Sequence, residues 1–271
     1  MNEFGPLVGP EWLLAHRGEV VIADVRFYLD GRSGLDAYRA GHIEGAVFID
    51  LDRWLAAPAG AGGRHPLPSP EVFAQGMSEA GIGSTQTVVA YDDLGGMVAG
   101  RLVWMLRTTG HRAALLDGGL SGWPAALETG ERPPPTPAGF TPVPWDPDTI
   151  VTADELANRE SVLVDSRAAE RYRGEVEPVD PRAGHIPGAI SVPFSANLDD
   201  TGSFLPAEEL RARFEGVGVD GDALVYCGSG VSACHNLLAI EAAGLGTPRL
   251  YVGSWSEWSS DPARPVAIGE S

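Results

Sequence analysis

The sequence predicts an α/β protein made of two tandem copies of one domain, each a parallel sheet flanked by helices. Three observations lead there: a long-range internal repeat, short β-branched runs alternating with helix-like segments inside each copy, and a proline-dense stretch between the copies. The repeat is the strongest of the three. AGHI-x-GA occurs at residues 40–46 and again at 183–189. TVVAYDD (87–93) pairs with ALVYCGS (223–229), and LLDGGLSGW (115–123) with LYVGSWSEW (250–258). The paired segments lie roughly 135 to 143 residues apart, a domain-sized spacing rather than that of a solenoid unit.

VVIADV, AVFID, TVVAY and AALLD are the strand candidates of the first copy; VLVDS, AISVPF, ALVYC and RLYVG are those of the second. Near-continuous apolar strands separated by helical segments imply a parallel sheet covered on both faces. Ligands of such sheets bind at the carboxyl ends of strands, where Asp24 and Asp165 stand in the two copies, and Asp92 and Cys227 in equivalent places. Between the copies, ETGERPPPTPAGFTPVPWDPDT is too rich in proline for helix or central strand. It reads as an extended linker whose Phe and Trp pack on a surface. The expected domains are therefore 1–127, a linker at 128–149, and 150–271.

Composition narrows the chemistry. The 271 residues carry a formal net charge of -18, which disfavours nucleic acid and anionic membranes as partners and leaves an anionic substrate in need of local positive charge. All 19 basic residues are Arg. The absence of Lys excludes Schiff-base, pyridoxal phosphate and phosphate-loop mechanisms. Cys227 and Cys234, the only cysteines, can form neither a disulfide framework nor a four-cysteine zinc site, and no metal or organic cofactor is expected. No membrane-length apolar run and no signal-peptide pattern are present, so the expected setting is the cytoplasm.

The segment ALVYC-GSGVSA-CHNLLAIEAAGL carries the reactive candidate. A buried strand is expected to end at Cys227. A loop follows in which Gly228 and Gly230 permit a tight turn with inward amides, and an amphipathic helix begins near Ser232. Such a ring, with a helix start behind it, would stabilise a negative sulfur and an attached persulfide. The bland alternative is a buried structural cysteine at a strand end. Cysteine phosphatases use a similar cradle but place an Arg six positions after the cysteine; here that position is Ala233, so the loop lacks a guanidinium for a tetrahedral dianion.

AGHIPGA, CGSGVSA and GSWSEW follow one another in the second copy in the order of the signatures of the tandem-domain rhodanese family, which they resemble; the similarity runs through both copies, and CGSGVSA is similar to the active-site loop of 3-mercaptopyruvate sulfurtransferases. The resemblance implies two rhodanese-like domains, the first catalytically silent because Asp92 stands where the second has Cys227. It implies Cys227 as nucleophile, Arg171 as the grip on the anionic donor, and Asp52, His65 and Ser229 as a proton relay, with the first copy lending Asp52 and His65. Gly228, Gly230, Val231 and Ser232 would line the donor through the loop. The family's second substrate Arg falls, by spacing, at Asp180; Arg182 is the expected substitute.

The expected reaction is ping-pong sulfur transfer from 3-mercaptopyruvate or thiosulfate to cyanide or a thiol, through a Cys227 persulfide. The partners are then a small-molecule donor and acceptor, with a thiol-reductant protein as a further candidate. The neutral loop and the relay favour mercaptopyruvate, whose leaving enolate needs a proton; Asp180 speaks for thiosulfate. A thiosulfate-preferring rhodanese, a persulfide carrier to a protein partner and a non-enzymatic interaction module are the other classes in play. Cys234, beyond the loop, is expected to serve packing.

Overall fold

The structure is a computed structural model that describes residues 5–270. The first copy contains β1 (Leu7–Val8), β2 (Val20–Asp24), β3 (His42–Ile43), β4 (Val47–Phe48), β5 (Thr87–Tyr91), β6 (Ala113–Leu116) and β7 (Leu127–Glu128). Five of these form a parallel sheet in the order β1-β6-β5-β2-β4, while β3 and β7 pair antiparallel. The second copy contains β8 (Ile150–Val151), β9 (Leu163–Asp165), β10 (Ala189–Ser191), β11 (Leu224–Tyr226) and β12 (Arg249–Tyr251), all parallel, in the order β10-β9-β11-β12-β8. Read from its other edge this is the first sheet, strand for strand, so the repeat in sequence is a repeat of topology. The eight strand candidates all lie on sheet strands. The edge strands β1 and β8 have two residues each, too short to show a period in sequence.

Every residue of β6, β9 and β11 is buried. Alternate side chains point to opposite faces, so both faces at the sheet centres are covered. The cover comes from α1 (Pro10–His16), α2 (Gly34–Ala40), α3 (Pro70–Glu79) and α4 (Ala99–Thr108) in the first copy. In the second it comes from α5 (Ala153–Ala157), α6 (Ala169–Tyr172), α7 (Ala207–Glu215), α8 (Ala233–Ala242) and α9 (Ser254–Trp258). Helix starts follow local chemistry: Ser69 Oγ accepts the Val72 N–H ahead of Pro70, and Thr152 with Glu155 forms a reciprocal cap. The helix expected to be amphipathic, α8, is instead buried on all sides from Ala233 to Ile240. It is covered by β11 and β12 and also by α7 and the short turn Phe194–Asn197, leaving no solvent face.

The repeated motifs are structural. Asp24 and Asp165 end their strands in bidentate pairs with Arg26 and Arg167, whose Nη2 groups also donate to Gly41 O and Gly184 O at 2.7 Å. The AGHI histidines, His42 and His185, bond Tyr38 O and Tyr172 O through Nδ1 at 2.8 Å and stack on those tyrosine rings. The next amides, of Ile43 and Ile186, donate to the buried hydroxyls of Tyr91 and Tyr226. Each copy thereby ties its second strand to the helix-and-turn segment that follows.

The chain forms two compact units that do not follow the repeat continuously. The first comprises the chain through Ala57, Leu67–Trp145 and Asp199–Phe204; the second comprises Pro58–Pro66, Asp146–Leu198 and the chain from Leu205 onward. The proline-dense stretch is extended and fastened to the first unit. Ala138 N donates to Ser78 O at 3.0 Å, the Phe140 ring meets Phe73 edge-on, and Trp145 Nε1 donates to Pro68 O at 2.8 Å. Among the described residues no helix is long and apolar enough to cross a membrane.

Candidate active site

Strand β11 ends at Tyr226, and residues 227–232 form the loop that leads into α8. Cys227 is buried, at 1% exposure. Its backbone is braced by α9: Cys227 N donates to Ser254 Oγ at 3.1 Å, while Trp255 N and Ser256 N donate to Cys227 O and Gly228 O at 3.0 and 2.9 Å. Ser254 opens α9 with φ +53°, and is the one non-glycine among the described residues with positive φ. Holding a serine there costs strain, and the bond to the Cys227 amide accompanies it. The two loop glycines differ. Gly230 takes the left-handed turn at φ +75°. Gly228 does not; it is small because guanidinium groups crowd it, and a Cβ there would lie 3.2 Å from Arg64 Nη2 and 3.4 Å from Arg171 Nη1.

The first unit shows what a loop of this kind does. Asp92, in the place of Cys227, is fully buried, and its carboxylate accepts the amides of Leu94, Gly96, Val98 and Ala99 at 2.7 to 2.8 Å. Burial drives this carboxyl upward and the four amides pull against it. The loop is an anion cradle, here filled by the chain itself. By position, the amides of Ser229, Val231 and Ala233 are the second unit's counterparts, whereas the Cys234 amide donates to Val231 O at 3.1 Å.

Around Cys227 the second unit gathers residues from distant parts of the chain. His65, on the Pro58–Pro66 segment, shares a 2.8 Å hydrogen bond between Nδ1 and Ser229 Oγ, and both residues are buried. The neighbouring Arg64 donates from Nη1 to Asp180 Oδ1 at 2.6 Å, and its backbone N–H donates to Ser256 Oγ at 3.0 Å. Arg171 donates from Nη2 to Glu177 Oε1 at 2.6 Å and to Asp180 Oδ2 at 3.1 Å. Cys234, buried on α8, points its thiol at Gly230 O at 3.4 Å. Val231 is buried and Ser232 half-buried at the N-cap of α8, without a side-chain capping bond.

Two expectations change. Arg182 does not join this group: its guanidinium donates to the carbonyls of Ser259, Arg264, Trp258 and Asp261, closing the end of α9 and the segment after it. With its donors so engaged it cannot replace the missing Arg at position 180. His65, expected to come from the first domain, is part of the second unit through its segment. Asp52 is exposed on the π-helical turn Leu51–Leu55 of the first unit.

The rhodanese-like domain family matches the chain twice, over residues 9–126 and 150–261. The chain belongs to the rhodanese family. A rhodanese relative from Pseudomonas aeruginosa, 46% identical over 267 residues and covered over 93% of either chain, is named for 3-mercaptopyruvate. One from Mycobacterium tuberculosis, 43% identical over 262 residues with 92% and 91% coverage, is named for thiosulfate. The crystal structure of the Escherichia coli 3-mercaptopyruvate sulfurtransferase matches with a TM-score of 0.80 at 36% identity, over 93% of this chain and 100% of that one. This rhodanese is a sulfurtransferase, as its sequence led us to expect.

Sequence reasoning passed over Arg64, Ser254 and Ser256 in this rhodanese. Arg64 stands beside His65 in RHPLP and drew no attention because its partner, Asp180, is far away in the chain. The two serines lie inside GSWSEW, which is recognisable as a motif while the bonds it makes to the cysteine loop are not.

Proposed function

We propose that this rhodanese takes sulfur from 3-mercaptopyruvate onto Cys227 and passes it to a thiol, or to cyanide in an assay. The observation that carries the reading is the His65–Ser229 hydrogen bond, buried beside the cysteine loop. Cys227 thiolate forms an S–S bond with the donor sulfur. The donor's C–S bond breaks, and its electron pair remains on the three-carbon fragment as the enolate of pyruvate. That enolate takes up a proton, formally the one the donor thiol gives up as the persulfide becomes anionic. Ser229 and His65 supply a path for this proton, since a hydroxyl and an imidazole in contact can exchange donor and acceptor roles. The inward amides hold the persulfide charge, as the Asp92 carboxylate is held in the first unit. A thiol acceptor then removes the outer sulfur and regenerates Cys227.

Sulfite leaves thiosulfate without needing a proton. His65→Ala should therefore depress kcat with mercaptopyruvate by about a hundredfold or more and spare thiosulfate. Equal losses on both donors would remove the relay. Asp52 enters this proposal on the family resemblance alone, and Asp52→Asn should reproduce the donor-selective loss if it belongs to the relay. Thiosulfate is the second reading, favoured by the two guanidinium groups next to Gly228. A higher wild-type kcat/KM with thiosulfate would establish it over the first. Slow turnover with every small acceptor, despite a persulfidated Cys227, would mark a carrier for a protein acceptor. Cys227 and Cys234 are both free thiols, which suits the reducing cytoplasmic setting expected from the sequence.

A further inference from the structure

We infer that Asn236, together with Ser166, is a positioning residue for sulfur transfer: the two side chains bridge the strand before the cysteine loop to the helix after it and so fix the shape of the cradle around Cys227. The inference rests on Cys227 as the sulfur-carrying thiol and holds for either donor. Asn236 is fully buried on α8. Its Nδ2 donates to Ser166 Oγ and to Val192 O, both at 2.8 Å, and its Oδ1 accepts from Asn197 Nδ2 at 2.6 Å. Neighbours with a single role set this orientation. Arg213 Nε can only donate, and does so to Asn197 Oδ1 at 3.2 Å, which turns Asn197 Nδ2 towards Asn236. Val192 O can only accept, which turns Asn236 Nδ2 towards it and towards Ser166. Asn236 thus has its N–H groups and its carbonyl engaged at once, and a buried amide satisfied in this way is held in one rotamer. Ser166 carries the anchor to the other end of the loop. Its backbone N–H, just after β9, donates at 2.8 Å to the carbonyl of Tyr226, the residue before Cys227. Residue 166 therefore holds the strand end with its backbone and α8 with its side chain, while residues 227–232 span the gap between them.

The first unit keeps the frame and replaces the bridge. Val25 N–H donates to Tyr91 O at 2.9 Å, as Ser166 does to Tyr226 O. Helices α4 and α8 have ten residues each, and Leu102 holds the fourth place of α4 as Asn236 does of α8. Val25 and Leu102 are both fully buried, and neither carries a polar side-chain group. In that unit the Asp92 carboxylate draws four amides inward and braces the loop from within. A cysteine sulfur is a weak acceptor and cannot brace a loop in the same way. Amide dipoles that converge on it repel one another, so the second unit's cradle has to be held from outside, in one shape before and after a second sulfur is added. Helix α9 does this for Cys227 and Gly228. The Ser166–Asn236 bridge does it for the helix end of the loop.

The test is the pH dependence of Cys227 alkylation by iodoacetamide, read by mass spectrometry of the Cys227 peptide. A cradle whose amides no longer converge favours the thiolate less, which slows alkylation at low pH and not where every thiol is ionised. The ratio of the rate at about pH 6.5 to that at about pH 9 should fall about fivefold or more in Ser166→Ala and in Asn236→Leu. Ser166→Val combined with Asn236→Leu, the pair that the first unit carries, should fall no further than Asn236→Leu alone, because both changes remove one bridge. In sulfur transfer, kcat should drop about tenfold in these variants with KM within about twofold of wild type. Arg213→Ala loosens the far end of the network without touching the bridge; it should lower Tm and leave the alkylation ratio within about twofold of wild type. Ser166→Ala deletes a single hydroxyl, and a ratio within about twofold of wild type in that variant would show the pair to be packing alone and overturn the inference. An Arg213→Ala ratio that falls as far as that of Ser166→Ala would overturn it as well, since the change would then report general loosening. Full sulfur transfer by Cys227→Ser would instead overturn the nucleophile, while the alkylation pattern would still decide whether the bridge shapes the loop.

Discussion

Cys227 and Cys234 lie close in sequence, yet their surroundings differ. Cys227 stands at the strand end inside the cradle, while Cys234 is packed within α8 with its thiol on a backbone carbonyl. Cys227→Ser should bring sulfur transfer down to the assay background, and Cys234→Ser should retain most of it, as steady-state rates with cyanide as acceptor would show. Comparable losses would mean that the nucleophile is misassigned. Asp92 offers a test of the cradle away from the chemistry. Asp92→Ala leaves four buried amides without an acceptor and should lower unfolding stability by more than about 3 kcal/mol in urea titrations. Asp92→Asn should be costly too, because its amide NH2 would face N–H donors.

At the scale of elements, α9 matters more than its five residues suggest. Its first turn takes the Cys227 amide on Ser254 Oγ, gives two amides to the carbonyls of Cys227 and Gly228, and accepts the Arg64 amide on Ser256 Oγ. Displacing it should disturb the loop and Arg64 together. Gly63→Ala is the sharpest way to do so, since its Cβ would press on Gly253 O and Ser256 Oγ at 2.7 Å from a backbone conformation that already disfavours alanine. We expect kcat/KM to fall about tenfold or more, measured with either donor, alongside a lower Tm. Ser254→Ala should lower activity while changing Tm less, since it removes one bond to the loop and leaves the fold of α9.

Across the whole molecule, all six tyrosines are buried, and burial is the leading cause that raises each phenol. Tyr28, which donates to Asp93 Oδ2 at 2.6 Å, and Tyr38 are pushed up to about 12. The phenol in an unfolded chain ionises near 10, so above that pH the unfolded state loses protons that the folded state keeps. Stability from these groups is fully present below about pH 10 and is lost progressively as pH rises towards 12. Phenolate absorbance should therefore appear together with loss of near-ultraviolet circular dichroism in an alkaline titration. Free titration of tyrosines near pH 10 with the fold intact would contradict their burial.

The duplication, the α/β class, the parallel strands and the glycine loop that makes Cys227 the candidate nucleophile were legible in the sequence because each is local. A strand announces itself by consecutive apolar residues, and a reactive cysteine by the glycines and helix start next to it. His65, Ser229 and Arg171 were legible only through the family resemblance, which names positions without explaining them. What only the tertiary structure decided was pairing over distance. It placed Pro58–Pro66 in the unit of Cys227, turned Arg182 onto four carbonyls, and set Arg64 on Asp180 across more than a hundred residues. Short strands such as β1 and β8 became visible only once the neighbours that supply their hydrogen bonds were in place. An ion pair or an edge strand is defined by its partner, and linear order carries no record of which distant residue that partner will be.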